Sequence, residues 1–167
     1  MELGLRGRVA FVAAASQGLG RAIAEELARE GARVAVCART ERIHEVAAAI
    51  AAAHGVETFA TVADVSVPAD VTRAVGEVLA RFGRIDVLVN NAGGPPPGPF
   101  ESHAPEAWAK AVALNLDSVV NLVRGVLPGM KERQWGRILN VTSIAVKQPV
   151  DGLILSNSVR AAVTGFA

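Results

Sequence analysis

Residues 8–30 read RVAFVAAASQGLGRAIAEELARE, and this stretch decides the fold. The apolar run 8–14 predicts a buried β-strand, and residues 19–30 have the apolar spacing of an amphipathic helix. Gly18 lies between them, and Gly20 lies in the first turn of the helix. Glycines there permit a tight turn and let the backbone approach a phosphate, which the free N–H groups of the helix attract. The pattern favours a nucleotide site, although a plain strand–helix turn would look similar.

The same alternation continues to the end of the chain. Further strands are predicted over residues 33–38, 58–63, 86–90 and 137–141. Further helices are predicted over 40–53 with Thr40 as cap, 66–82 with Ser66 as cap, 105–132 and 153–167. Near-continuous apolar strands indicate burial on both faces and hence a parallel sheet. Right-handed crossovers then predict a doubly wound α/β sheet of the Rossmann type, ordered 3-2-1-4-5, in one domain over 1–167.

Bulk properties narrow the class of protein. The chain has 167 residues, is 51% hydrophobic and carries a formal net charge of +1. That charge gives no case for nucleic acid or an anionic membrane as partner. We expect no signal peptide and no stretch of transmembrane length. The single cysteine, Cys37, is predicted to lie in the core and fits a cytoplasmic location. No cluster has metal-ligand spacing, so no metal is predicted.

Three more motifs occur further along the chain, two of them directly after predicted strands and one within the long helix. They are Asp64-Val65 after the third strand, Asn90-Asn91-Ala92-Gly93 after the fourth, and Asn115 in the long helix. Together with the turn at 13–20 they resemble the short-chain dehydrogenase/reductase family, and the chain looks most like its 3-oxoacyl-acyl-carrier-protein reductase branch. The family pattern Thr-Gly-x-x-x-Gly-x-Gly matches at Gly18 and Gly20. It departs at Ala13 and Ala14, where Ala14 adds a methyl group to the turn.

The resemblance implies a nicotinamide cofactor. The cofactor-binding positions that it implies are Ala14, Ser16, Gln17, Gly18, Leu19, Gly20, Arg39, Thr40, Asp64, Val65, Asn91, Ala92 and Gly93. In the family, the Asp at position 64 contacts adenine. Arg39 ends the second strand, where an acidic residue would bind the 2′-hydroxyl of NAD and an arginine pairs with a 2′-phosphate. We therefore predict NADP(H), with NAD(H) as the less favoured alternative.

The positions that carry the chemistry are altered. The family uses a Ser, a Tyr that transfers the proton, and a Lys; this chain has Ser143, Ser156 and Arg160 there, and no tyrosine at all. A serine is a far weaker acid than a phenol of pKa about 10, and an arginine does not readily release a proton. The resemblance implies that Asn115 holds a relay water. Two proton donors stay open: Lys147, or a water held by Ser143, Ser156 and Asn115.

Two functions remain open. One is an NADP(H)-dependent oxidoreductase acting on a small carbonyl or alcohol substrate, and the other is a catalytically impaired nucleotide-binding relative with a regulatory or scaffold role. The resemblance implies a homotetramer. The pattern stops in mid-helix at 165–167, and the fifth strand would form an apolar sheet edge. We expect the parent protein to continue beyond Ala167, or a partner to cover this edge.

Overall fold

A parallel sheet forms the centre of the molecule. The computed structural model describes residues 3–167, and within them the sheet has five strands in the order β3-β2-β1-β4-β5. These are β1 (Val9–Val12), β2 (Arg33–Ala38), β3 (Thr58–Val62), β4 (Val87–Asn90) and β5 (Arg137–Asn140). All neighbouring pairs are parallel. The predicted doubly wound fold and its strand order are confirmed.

Helices cover both faces of this sheet. They are α1 (Gly18–Arg29), α2 (Arg42–His54), α3 (Pro68–Phe82), α4 (Pro105–Val112), α5 (Ser118–Glu132) and α6 (Ile154–Phe166). Alternate residues of β1 supply two cores: Val9 and Phe11 pack with α3 and α5, whereas Ala10 and Val12 pack with α1 and α2. This period of two is what a strand buried on both faces requires.

Several local predictions were wrong. The N-caps of α2 and α3 are Glu41 and Val67, and neither helix has a side-chain cap, so Thr40 and Ser66 do not cap them. The Ser66 hydroxyl donates instead to the Asp64 carboxylate at 2.7 Å, because that carboxylate lies only two residues away. The four strands β1, β3, β4 and β5 are also shorter than predicted by one to three residues.

The fifth strand does not share the burial of its neighbours. Ile138 and Leu139 are 36% and 51% exposed, because β5 is an edge of the sheet within the described residues. The expectation of strands buried on both faces therefore fails for β5. The expectation of an apolar edge holds there.

The predicted long helix is interrupted. A π-helical turn, Ala113–Asp117, joins α4 to α5, and α5 continues through Pro128. The span Pro105–Glu132 has 28 residues, and an 18-residue window within it has a mean hydropathy of 1.2, so by length and composition it could cross a membrane, contrary to the sequence-based expectation. This is weak evidence, since core helices pass the same test. Leu122 and Val126 of α5 pack into the core against the sheet.

The Cys37 thiol is expected to be inert in the folded protein. Cys37 is fully buried in β2, and burial raises the pKa of its thiol to about 12. The nucleophilic thiolate is therefore scarce at neutral pH. A colorimetric disulfide reagent should label no thiol in native buffer and one thiol in denaturing urea. Rapid labelling in native buffer would show that this part of the core opens easily.

Candidate functional site

The turn between β1 and α1 has an unusual backbone. Gly18 has φ of 59°, in the left-handed region that glycine adopts at low cost. A Cβ on Gly18 would meet no atom within 4 Å, so backbone conformation alone favours glycine here. Ala14 has φ of 50° and carries its methyl group in the same region, which is uncommon for a residue with a Cβ. The departure from the family pattern at Ala14 therefore places a side chain on a bent segment of the turn.

A close approach explains the second glycine. A Cβ on Gly20 would lie 2.5 Å from the Ala14 carbonyl oxygen and 2.7 Å from Asn91 Nδ2. The same amide group of Asn91 donates to the carbonyl oxygens of Ala13 and Ala14 at 3.2 and 3.3 Å. The motif after β4 is thus bonded directly to the glycine turn after β1. A side chain on Gly20 would separate them.

The first turn of α1 offers a binding surface for an anion. Its N-cap, Gln17, has an extended backbone and makes no side-chain cap bond. The first N–H groups of a helix have no partner inside the helix, and the helix dipole favours negative charge there. Gln17, Gly18 and Leu19 are exposed around this end, and Ser16 is half-buried. This arrangement fits the diphosphate of a dinucleotide.

Because the sheet is parallel, the carboxyl ends of β2 and β3 lie on the same side of the sheet as the turn after β1, here called the carboxyl edge. Arg39 and Thr40 follow β2, are exposed, and make no side-chain hydrogen bond or ion pair among residues 3–167. The nearby Glu41 carboxylate lies 3.3 Å from His44 instead. Asp64 is half-buried and Val65 is 7% exposed in the loop after β3. The structure therefore gathers the predicted cofactor-binding residues on one edge of the sheet, while their binding role stays a prediction.

Two of the predicted chemical residues follow β5. Ser143 precedes a short 3₁₀ turn, Ile144–Val146, and its Oγ accepts a hydrogen bond from the Ala145 N–H at 3.2 Å. The hydroxyl hydrogen of Ser143 is therefore free to donate a hydrogen bond to a ligand. Lys147 directly follows this turn, is exposed, and makes no side-chain bond to residues 3–167.

Arg160 is held away from solvent. It is 8% exposed and donates to the carbonyl oxygens of Val141 and Thr142 at 3.2 and 3.3 Å. Longer contacts of 3.5 and 3.4 Å reach the carbonyl oxygens of Ala92 and Gly93. No carboxylate of the described residues pairs with it, and burial lowers the pKa of its guanidinium, which stays charged at neutral pH. Arg160 therefore links the loops after β4 and β5, a role that sequence reasoning missed.

Asn115 supports the same loop from the π-helical turn. It is 4% exposed, and its Nδ2 donates to the Gly93 carbonyl oxygen at 2.9 Å, the oxygen that Arg160 also contacts. Its Oδ1 is buried and has no hydrogen-bond partner among residues 3–167. A cavity of about 10 Å³ lies beside it, enough for one water. Neither Ser143 nor Ser156 lines this cavity, so the structure does not gather the three residues around it.

Ser156 lies near the start of α6. It is 9% exposed, and its hydroxyl makes no hydrogen bond to the rest of residues 3–167. Arg160 follows four residues later on the same helix, so positions 156 and 160 share one face. This is the spacing that the family uses for its Tyr and Lys, and the structure retains it with the altered residues.

The fold defines a Rossmann-like α/β protein with its candidate site at the carboxyl edge of the sheet, and comparison with known proteins identifies the family. The family model described as short chain dehydrogenase matches residues 8–167, so the chain belongs to that family. It is 32% identical over 165 residues to the 3-oxoacyl-[acyl-carrier-protein] reductase of Escherichia coli, covering 99% of this chain and 66% of that protein. It is 36% identical over 139 residues to the D-beta-hydroxybutyrate dehydrogenase of Cupriavidus necator, covering 83% and 54%.

A solved structure agrees closely with the fold. The L-sorbose reductase of Gluconobacter frateurii, complexed with NADPH and L-sorbose, superimposes with a TM-score of 0.96 at 36% identity. The match covers 99% of this chain and 64% of that one. The chain thus spans 54% to 66% of the lengths of these three relatives.

Proposed function

We propose that this protein is an NADP(H)-dependent oxidoreductase acting on a small carbonyl or alcohol substrate, with a 3-oxoacyl thioester as one candidate. The observation that carries the proposal is that the open end of α1, the unpaired Arg39 after β2 and the loop after β4 all lie at the carboxyl edge of the sheet. A relative that reduces 3-oxoacyl-acyl-carrier protein and a neighbour complexed with NADPH support it. We further propose a cytoplasmic homotetramer, on the family resemblance.

The residues present fit that cofactor. The cofactor would supply the hydride. The N–H groups of α1 would bind its diphosphate, and Arg39 would pair with its 2′-phosphate. Asn115 and Arg160 fix the Gly93 carbonyl and hence the loop that would line the nicotinamide side of the site. The Ser143 hydroxyl would donate a hydrogen bond to the substrate oxygen, because its Oγ already accepts one from Ala145 and its own hydrogen is free.

One observation favours the alternative, a nucleotide-binding protein without turnover. The Arg160 guanidinium is engaged with backbone carbonyls, and Ser156 supplies no acidic proton. Lys147 and water remain the candidate donors. Tight NADPH binding with no oxidation across a broad panel of carbonyl compounds would establish the alternative.

Arg39→Asp should abolish the preference for NADPH. The unchanged protein should bind NADPH at least about tenfold more tightly than NADH, which is about 1.4 kcal/mol, within the reach of one charge-assisted phosphate contact. Isothermal titration with both cofactors measures this ratio. Arg124→Asp makes the same charge change at an exposed position of α5 and should keep the preference. Equal affinities in the unchanged protein would refute the assignment of Arg39.

A further inference from the structure

The loop between β3 and α3 is fixed by its own backbone at both ends. The Ala63 N–H donates to the Ala38 carbonyl at 2.8 Å, which extends the pairing of β3 with β2 beyond the strand. The Val67 N–H donates to the Asp64 carbonyl at 2.9 Å and closes a tight turn before α3. The backbone position of Asp64 at the carboxyl end of β3 is therefore fixed from both sides.

Ser66 orients the side chain of Asp64. Asp64 Oδ1 accepts two hydrogen bonds, from the Ser66 N–H at 2.9 Å and from the Ser66 hydroxyl at 2.7 Å. Asp64 Oδ2 accepts no hydrogen bond from residues 3–167. One oxygen of the carboxylate is thus used to fix the rotamer, and the other is left to accept from a donor outside the protein.

Asp70 holds the backbone of the same residue. The Asp64 N–H donates to Asp70 Oδ2 at 2.8 Å, across the first turn of α3. This bond is the main reason that the pKa of the Asp70 carboxyl lies below its ordinary value, so Asp70 is ionised at neutral pH. The backbone N–H of Asp64 is therefore held by the charged Asp70 carboxylate, and the side-chain carboxylate of Asp64 is held by Ser66.

Arg73 anchors Asp70 to the sheet. Its guanidinium donates to Asp70 Oδ1 at 3.2 Å, to the Val62 carbonyl oxygen at 2.7 Å and to Glu77 Oε1 at 3.1 Å. Val62 is the last residue of β3, so this chain of bonds runs from the strand end through α3 and back to Asp64.

We propose that Ser66 and Asp70 are positioning residues that hold the Asp64 carboxylate ready to accept a hydrogen bond from the 6-amino group of the cofactor's adenine. The inference rests on the proposed function, because it needs a bound adenine dinucleotide. A carboxylate only accepts hydrogen bonds, and the 6-amino group is the donor that the adenine ring carries. The loop thus selects adenine over bases that lack this donor.

The test compares NADPH with reduced nicotinamide hypoxanthine dinucleotide phosphate, which has a carbonyl group where adenine has its 6-amino group. The unchanged protein should bind NADPH about tenfold more tightly, the scale of one hydrogen bond to a charged group. Asp70→Ala should reduce that preference to about twofold or less, while Asp70→Asn, which can still accept from the Asp64 N–H, should restore most of it. Isothermal titration supplies all the affinities.

Two controls separate positioning from stability. Thr72→Ala removes a hydroxyl in the same helix that bonds only to the Pro68 carbonyl, and should keep the preference. If Asp70→Ala does not fold, Ser66→Ala tests the positioning of the Asp64 carboxylate instead, and it should also reduce the preference for NADPH. A merely structural role for Asp70 would weaken both cofactors equally and leave their ratio unchanged, and that result overturns the inference. Failure of the unchanged protein to bind NADPH would instead overturn the proposed function itself.

Discussion

Replacing Ser156 with tyrosine and Arg160 with lysine together should raise carbonyl-dependent NADPH oxidation by about 100-fold or more, the scale of general acid catalysis. Positions 156 and 160 lie four residues apart on α6, so the new ammonium group would lie beside the new phenol. A neighbouring positive charge lowers the pKa of a phenol and favours proton transfer at neutral pH. The initial rate of NADPH consumption with a 3-oxoacyl substrate measures the gain.

The control for this substitution places the tyrosine on another face of the same helix. Ser158 is exposed on α6, so Ser158→Tyr combined with Arg160→Lys should give no comparable gain. Arg160→Lys alone should lower stability, because the loops after β4 and β5 lose their shared donor. A gain below about threefold in the double variant, with NADPH affinity intact, would contradict the view that general acid catalysis limits the reaction.

Gly20→Ala should lower both stability and cofactor affinity. The added methyl group would lie 2.5 Å from the Ala14 carbonyl oxygen, which belongs to the backbone and cannot rotate away. Overpacking of this kind costs about 1–3 kcal/mol of the free energy of unfolding. Because the helix must move away from the turn, we also expect at least about a tenfold loss of NADPH affinity, equal to about 1.4 kcal/mol. Urea unfolding and isothermal titration measure the two effects.

Gly76 provides a matched control for the Gly20→Ala substitution. Gly76 lies exposed within α3, and a Cβ there would meet no atom within 4 Å. Gly76→Ala should therefore stabilise the protein by about 0.5–1 kcal/mol, through helix propensity alone, and leave cofactor affinity unchanged. Unchanged stability and affinity in Gly20→Ala would show that α1 does not need this close approach.

The sheet could be predicted from sequence because burial imposes a strong local pattern. Strands such as Val9–Val12 are apolar on both faces, and the amphipathic helices between them set the parallel crossovers. The order 3-2-1-4-5 also predicted β5 as an apolar edge, and only its burial was overestimated, because its apolar residues resemble those of a strand covered on both faces.

The finer structure of the site depends on contacts between distant segments, and no local pattern encodes those. Asn91 bonds to Ala14 across 77 positions, and Arg160 bonds to Ala92 across 68. The motifs predicted that such residues matter, but not which atoms they contact. Ser66 was misread as a helix cap because capping and bonding to Asp64 use the same hydroxyl, and spacing alone cannot choose between them.

We propose that the carboxyl edge of the sheet, formed by the turn after β1 and the loops after β2, β3 and β4, binds a nicotinamide dinucleotide phosphate. Isothermal titration of the unchanged protein with NADPH tests it most directly. We expect saturable binding of one NADPH per chain with a dissociation constant in the micromolar range, with NADH bound at least about tenfold more weakly. The absence of saturable binding by a folded protein, even at millimolar NADPH, would contradict the account.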